Sequence, residues 1–318
     1  MCTFLHQKLI HNLCSILDKT SNRSILLALS SGQDSLCLLK LTLDLRRQLN
    51  LKIGVIHIDH QCRSDSTHNT KHLLNIIQNV NIESYIYQIK SQNFSEKAFR
   101  ELRYELFLKT ALNNGYNIIA TAHTLSDRIE TCLFNMIKGG SLDNINSLIP
   151  IRHLSINLRL IRPMLNFERS EITWLCRHYY LPTWFDYTNI NYNYSRNRIR
   201  HEIIPYIKQY YKTNIEKSLS EFVDNISYDS EYLRQNTVKV YLKVRHPELI
   251  AINYHLISTE HTSLQRRVLQ LFLAQHLNIN LSNKVSRDIL TSIKIKKTIN
   301  MKHVSIDFCN KLKWIYIY

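Results

Sequence analysis

Apolar residues recur along this chain at two different periods, and the alternation between them predicts its fold. Leu5, Leu9, Leu13, Ile16 and Leu17 repeat at helical spacing and predict a helix near the start of the folded protein. From 24 to about 135, short β-branched runs alternate with longer stretches of period 3.6, the signature of βα units and a parallel sheet. Strands are expected at 25–30, 53–59, 85–89 and 118–122, with helices at 34–48, 66–78, 95–112 and 127–137. Right-handed crossovers make this a doubly wound α/β sheet, with its ligand crevice at the C-terminal ends of the strands. Further on, the pattern predicts a hairpin near 156–161, a helix around 168–180, and a polar loop with Asp186 and Asn189 leading to Arg196. After Pro205 the chain turns helical and more basic, which divides it into 1–210 and a smaller, mainly helical, basic domain at 211–318.

Composition narrows the partners. The 318 residues, 44% of them hydrophobic, can build real cores for about two domains at roughly 150 residues each. Lys and Arg outnumber Asp and Glu by 41 to 25, a formal charge of +16 that favours an anionic partner. No apolar run approaches the roughly 20 residues of a membrane span, so nucleic acid is the expected partner and a membrane is not. The seven cysteines (Cys2, Cys14, Cys37, Cys62, Cys132, Cys176 and Cys309) include no C-x-x-C pair and read as reduced, mostly buried thiols. The first 17 residues lack a secretory h-region with a cleavage site and the Arg/Ser-rich look of a transit peptide, so the chain is expected to work where it is made. Five Gly and five Pro against abundant Ile, Asn, Lys and Tyr suggest an AT-rich, organellar coding genome. That places the protein in the plastid stroma if organelle-encoded and in the cytoplasm otherwise.

Four clusters carry candidate chemistry, each placed by the pattern at the crevice end of a strand or on a flanking helix. Ser30, Ser31, Gly32, Gln33, Asp34 and Ser35 follow an apolar strand and open a helix, so backbone N–H groups and hydroxyls can converge on a phosphate. The Walker pattern is absent, and Gly32 stands alone, so this is no dinucleotide fingerprint. Ala120, Thr121, Ala122, His123 and Thr124 end the fourth strand and lead to Asp127 and Glu130. Spacings of four and three put His123 and both carboxylates on one face if helical geometry begins at His123. Such a group can hold Mg²⁺ between phosphates, orient an ammonium, or accept a proton. His57, Asp59, His60 and Arg63 end the second strand; His57 and Asp59 share a face that His60 does not, which argues against a three-ligand metal site. Arg100, Arg103 and Tyr104 lie on the helix before the fourth strand. Asp186, Asn189, Arg196, Asn197, Arg198 and Arg200 suit the backbone of a folded RNA, and Lys294, Lys296, Lys297 and Lys302 form a second basic patch.

Together these motifs resemble the PP-loop ATP pyrophosphatases, an adenine nucleotide α-hydrolase-like fold, and within them the tRNA(Ile)-lysidine synthetase family. The likeness is close over about 24–205. The loop at 30–35 is similar to the family's S-G-G-x-D-S, although Ser31 stands where its first Gly is usual, and a Cβ there puts any positive φ in question. A-T-A-H-T-L-S-D-R-I-E-T at 120–131, I-D-H-Q-C-R at 58–63 and R-E-L-R-Y at 100–104 match its pattern. I-R-P-M-L at 161–165, D-Y-T-N at 186–189 and R-N-R-I-R at 196–200 are more specific to the family, and L-Q-R-R at 264–267 resembles the start of its C-terminal domain.

The resemblance implies a two-step reaction on the wobble cytidine of a CAU-anticodon isoleucine tRNA. ATP adenylates the base at C2, and free L-lysine then displaces AMP to leave lysidine. It also implies residue roles. Ser30 to Ser35 hold the phosphates of ATP together with His57, Asp59 and His60, and Asp34 is the candidate Mg²⁺ contact. Asp127 or Glu130 binds lysine and takes its proton, while His123 and Arg103 touch substrate or adenylate. Arg196, Asn197, Arg198, Arg200, Lys294, Lys296 and Lys297 grip the tRNA, and a homodimer is compatible with the sequence. The rivals are a sulfur-transferring tRNA enzyme on the same scaffold, a catalytically dead RNA binder, and a small-molecule amide former.

Overall fold

The computed structural model describes residues 2–17, 23–59, 61, 66–89, 96–146, 148–184, 192, 195–211, 213–277, 283–295, 299–301, 304–309 and 314–317. His60, Arg63, Asp186, Asn189, Lys296, Lys297 and Lys302 lie outside these residues, as does the side chain of Lys294.

A first helix, α1 (Phe4–Ile16), forms where the apolar period predicts it and buries Leu5, Leu9, Leu13 and Ile16. Strands β1 (Ser24–Ala28), β2 (Lys52–Asp59), β3 (Glu83–Gln88) and β4 (Ile118–Thr121) alternate with α2 (Gln33–Leu45), α3 (Ser66–Gln78), α4 (Glu96–Asn113) and α5 (Leu125–Ile137). After the short α6 (Leu142–Ile145), a hairpin of β5 (Ile151–Ser155) and β6 (Leu158–Ile161) precedes α7 (Arg169–His178). Ile156, 98% exposed, belongs to the hairpin's turn, so the hairpin starts earlier than its apolar residues suggest. A short helix α8 (Ser195–Arg198), a π-helical turn (Ile199–Ile203) and α9 (Ile204–Tyr210) then lead to α10 (Ile215–Val244).

The six-stranded sheet has the order β3-β2-β1-β4-β6-β5. All its neighbours run parallel except the β5–β6 hairpin. Strand order reverses at β1, whose neighbours β2 and β4 lead outward in opposite directions, so the switch point opens between the C-terminal ends of β1 and β4. Apolar layers cover both faces. Leu27, Leu41, Val55, Phe167 and Ile172 belong to one cluster, and Leu26, Ile56, Phe107, Tyr116 and Ile119 to the other. Strands buried on both faces read as continuous apolar runs, which is why 25–29 and 118–120 lack alternation.

Two compact units emerge, one of residues 1–140 with 145–222 and another of 141–144 with 223–318. The second contains α11 (Tyr254–Ser258), α12 (Thr262–Leu277) and α13 (Asn283–Ile295), together with most of α10. It also holds a four-stranded antiparallel sheet, β7 (Ala251–Asn253), β10 (Trp314–Ile317), β9 (Val304–Cys309) and β8 (Ile299–Met301), which the basic helical reading of the sequence did not separate out. Its core gathers Val240, Val244, Ile252, Val268, Phe272 and Ile315. Among the described residues, no helix is long and apolar enough to cross a membrane.

Candidate active site

Two helices begin at the switch point, and they begin differently. α2 follows β1 through Leu29, Ser30, Ser31 and Gly32; Gly32 is its N-cap in extended geometry (φ −69°, ψ 161°) and no side chain among the described residues caps it. The first N–H groups of α2 are therefore left for an outside acceptor, with the positive end of the helix dipole behind them. Ser30 and Ser35 are tied by an Oγ···Oγ contact of 2.9 Å, and Ser35 Oγ accepts from the Ser30 N–H at 3.1 Å, which closes the loop into a small cradle. No residue from 30 to 35 has positive φ, so the loop needs no glycine at 31. Ser31 is 2% exposed, and its carbonyl accepts from the Trp184 N–H at 3.0 Å. Gln33 turns away from the cradle, its Nε2 donating to Thr173 Oγ1 on α7 at 2.7 Å.

α5 follows β4 through Ala122, His123 and Thr124, and its start is closed by a capping box between Thr124 and Asp127. Asp127 Oδ2 accepts from the Thr124 N–H at 2.9 Å and from its hydroxyl at 3.1 Å. Helical geometry thus begins after Thr124. His123 lies outside the helix and does not share its face with the carboxylates, contrary to the spacing argument. It is oriented by the strand end instead, through Nδ1 and Thr121 Oγ1 at 2.9 Å.

The two carboxylates meet Arg200, whose side chain therefore lies inside the crevice rather than on an open RNA-facing surface. Its Nη2 donates to Asp127 Oδ1 and to Glu130 Oε2, both at 3.0 Å, while Nε donates to Glu130 Oε1. The segment delivering Arg200 is the π-helical turn, a local widening common at functional sites. Of the neighbouring basic residues, Arg198 is exposed and paired with Glu202 at 3.1 Å, and Arg196 lies over the Phe134 ring at 5.6 Å.

Electrostatics separate these groups. Burial, with the nearby Asp127 carboxylate, pushes Asp34 up to about 6, against the opposing charges of Arg169 and Arg200. Burial pushes Glu130 up to about 7, even though the Arg200 hydrogen bond and charge oppose the rise. Burial also pulls His123 down to about 4; Asp127 resists, and Arg162, Arg103 and Arg100 reinforce the fall. The imidazole is accordingly neutral near pH 7. Burial drives Tyr104 upward, yet Arg162, Arg100 and Arg103 outweigh it and lower its pKa. Arg103 Nε and Arg162 Nε are buried without a hydrogen-bond partner among the described residues, an arrangement suited to receiving negative charge from a ligand.

Arg162 is the functional candidate that reading by cluster missed. It is 2% exposed and follows β6, next to β4 in the sheet, with Nη1 donating to the Ile149 carbonyl at 2.7 Å. Its signal was present in I-R-P-M-L: a charged residue just past an apolar strand at the crevice end. His57 acts one step back from the cradle. Its Nδ1 donates to the Leu29 carbonyl at 2.9 Å, Nε2 meets Thr70 Oγ1 at 3.3 Å, and burial lowers its pKa. Asp59 Oδ1 accepts from the Gln61 N–H at 3.0 Å, and Oδ2 is buried without a partner among the described residues. No three His, Cys, Asp or Glu side chains among the described residues form a metal cage. Cys37, Cys132 and Cys176 are buried, and Cys2 and Cys14 lie with the first helix, so none of these five opens a thiol into the crevice.

An open α/β sheet with an uncapped helix start at its switch point and an acidic helix beside it defines a nucleotide-binding protein of the PP-loop class, and the PP-loop domain model matches residues 5–207. A U34-tRNA thiolase from Methanococcus maripaludis, solved with its [4Fe-4S] cluster, shares this fold with a TM-score of 0.56 at 15% identity, covering 70% of this chain and 79% of its own. The chloroplastic tRNA(Ile)-lysidine synthase of Gracilaria tenuistipitata var. liui is 39% identical over 99% of both chains. That of Pyropia yezoensis is 37% identical over 99% of this chain and 96% of its own, and a Nostoc enzyme of the same name is 34% identical over 80% and 79%. The chain belongs to the tRNA(Ile)-lysidine synthase family.

Proposed function

We propose that this protein joins L-lysine to C2 of the wobble cytidine in a CAU-anticodon isoleucine tRNA, using ATP and releasing AMP and pyrophosphate. The product base pairs with A instead of G and moves the tRNA from AUG to AUA. The observation that carries this reading is the pairing of the two helix starts: free donors and Asp34 on α2, two carboxylates with a raised Glu130 on α5. The plastid is the proposed compartment, in line with the chloroplastic relatives.

In the first step the α2 N–H groups, with Ser30 and Ser35, hold the phosphates of ATP. The cytosine O2 attacks the α-phosphorus, the bond to the β-phosphate oxygen breaks, and pyrophosphate leaves. Arg103 and Arg162 stabilise the charge that builds on the α-phosphate, because cations already buried need no reorganisation at that moment. Neutral His123 adds no positive charge of its own and can offer a ring nitrogen to the adenylate. Asp34 stands in the first turn of α2, beside the backbone donors that hold the phosphates, which fits a divalent cation held there with the substrate phosphates. Mg²⁺ held there would neutralise departing pyrophosphate.

In the second step Asp127 orients the lysine ammonium and Glu130 takes its proton; the free amine attacks C2 and the C2–O bond to AMP breaks. A carboxylate raised to about 7 suits this work, since a base is most effective near the operating pH. The cytosine must leave the anticodon stack to reach the crevice. Arg196, Asn197 and Arg198, with Lys294, Lys296 and Lys297 on the basic C-terminal segment, are proposed to hold the tRNA backbone.

The test is incubation with Mg-ATP, radiolabelled lysine and an unmodified CAU-anticodon isoleucine tRNA transcript, with a methionine tRNA as control. Base-stable label in the isoleucine tRNA alone is expected. Absence of label, with folding and ATP binding verified, would overturn the reading.

A further inference from the structure

Outside the crevice, α7 presents a chemically distinctive face. Arg169, Thr173 and Arg177 follow one another at steps of four, as do Ser170, Trp174 and His178, so a cationic ridge runs beside an aromatic one. These six residues line an open cavity of about 690 Å³. Trp174 stacks on His178 with ring centroids 5.0 Å apart and planes 7° from parallel, and the Phe4 ring of α1 lies 5.3 Å away, tilted by 42°. The indole is thus held in place while 42% of Trp174 stays exposed.

A single exposed aromatic residue is ordinary. A braced indole beside two exposed arginines is the composition of a platform for single-stranded nucleic acid, where bases stack on the ring and phosphates meet the cations. The face also adjoins the start of α2. Thr173 accepts from Gln33 at the start of α2, and the charge of Arg169 reaches Asp34 and Glu130. The chain's charge of +16 provides the long-range attraction for a polyanion.

We propose that this face of α7 binds an unstacked segment of the tRNA substrate, one base on the exposed Trp174–His178 stack and its flanking phosphates on Arg169 and Arg177. This rests on the RNA substrate proposed above. Anchoring neighbouring nucleotides here would hold the anticodon loop open while the target cytosine occupies the crevice.

The variants Trp174→Ala, Trp174→Phe and Arg177→Gln test it in the full chain; Arg169 is left intact because it also acts on Asp34. Affinity for the tRNA transcript at several salt concentrations, affinity for ATP and melting temperature are measured. Trp174→Ala is expected to weaken tRNA binding about tenfold and Trp174→Phe to recover most of it. Arg177→Gln is expected to reduce the logarithmic salt slope by roughly 1. ATP affinity and melting are expected to stay unchanged. Wild-type tRNA affinity and salt slope in all three variants would overturn the proposal, as would lost ATP affinity with tRNA binding intact, which would make the cavity a nucleotide pocket. A wild-type chain that binds no tRNA defeats the lysidine reading itself, whereas variants matching a tRNA-binding wild type defeat only this assignment.

Discussion

The starts of α2 and α5 sit at the ends of neighbouring strands and carry opposite chemistry. α2 has no side-chain cap among the described residues, so its backbone donors face outward and call for an anion. α5 is closed by Thr124 and Asp127, so what remains available is the acidity of its first two turns, countered by Arg200. Capping separates the two helix starts, although both follow a buried strand and both carry an aspartate in the first turn, Asp34 and Asp127. The contrast divides the labour of the proposed reaction: adenylation belongs to α2 and lysine capture to α5.

Substitutions should separate those halves. The largest effect is expected for Asp34→Ala, which should lower tRNA-dependent pyrophosphate release about a thousandfold, since it removes the charge next to the phosphates. If release survives, the α2 assignment is broken. Glu130→Gln should lower lysine transfer about a hundredfold while leaving adenylate formation, read as pyrophosphate exchange, near wild type. Equal loss of both steps would erase the distinction between the helices.

Arg200→Ala should act through Glu130. The arginine holds that carboxyl down, so its removal raises the pKa further and moves the acid limb of the transfer profile from near pH 7 to higher pH, costing about tenfold at pH 7. An unmoved limb would show that Glu130 is not the titrating base.

A smaller effect concerns stability. Glu130 binds its proton more tightly folded than unfolded, so the folded state holds more protons between about pH 4.5 and 7, and stability falls as pH rises through that window. Glu130→Gln should therefore gain on the order of 1–2 kcal/mol over wild type above pH 7, with the difference vanishing below pH 4.5 in denaturant melts. The smallest change is expected for Ser31→Gly, which should alter pyrophosphate release by less than about threefold, because no residue of the loop needs positive φ. A large gain would mean that the loop adopts another conformation when nucleotide binds.

Over the first 180 residues the order of strands and helices was legible because burial imposes it locally, whereas the sheet of β7 to β10 was not. A strand covered on both faces must be apolar throughout, and a helix over a sheet must repeat its apolar residues near 3.6, so 25–29, 53–58 and the Leu5, Leu9, Leu13 series announce themselves. The phosphate cradle, Asp127 and Glu130 were legible for the same reason, since polar residues just after a buried strand stand at a sheet's edge. Four decisions needed the tertiary structure. Arg200 read as one of several RNA-facing arginines until the π-helical turn carried it to Asp127 and Glu130, roughly seventy residues away in sequence. His123 read as part of a helical stripe until the capping box moved the helix start past it. Arg162 stood out locally as a charge just past an apolar strand, but its meaning, like that of the outer face of α7, lies in which strand, helix or ring stands beside it. Sequence by itself determined which segments fold and where the sheet opens, as the hydrophobic period acts over one or two turns. Tertiary structure decided which charges meet, as a guanidinium chooses among carboxylates by distance in space.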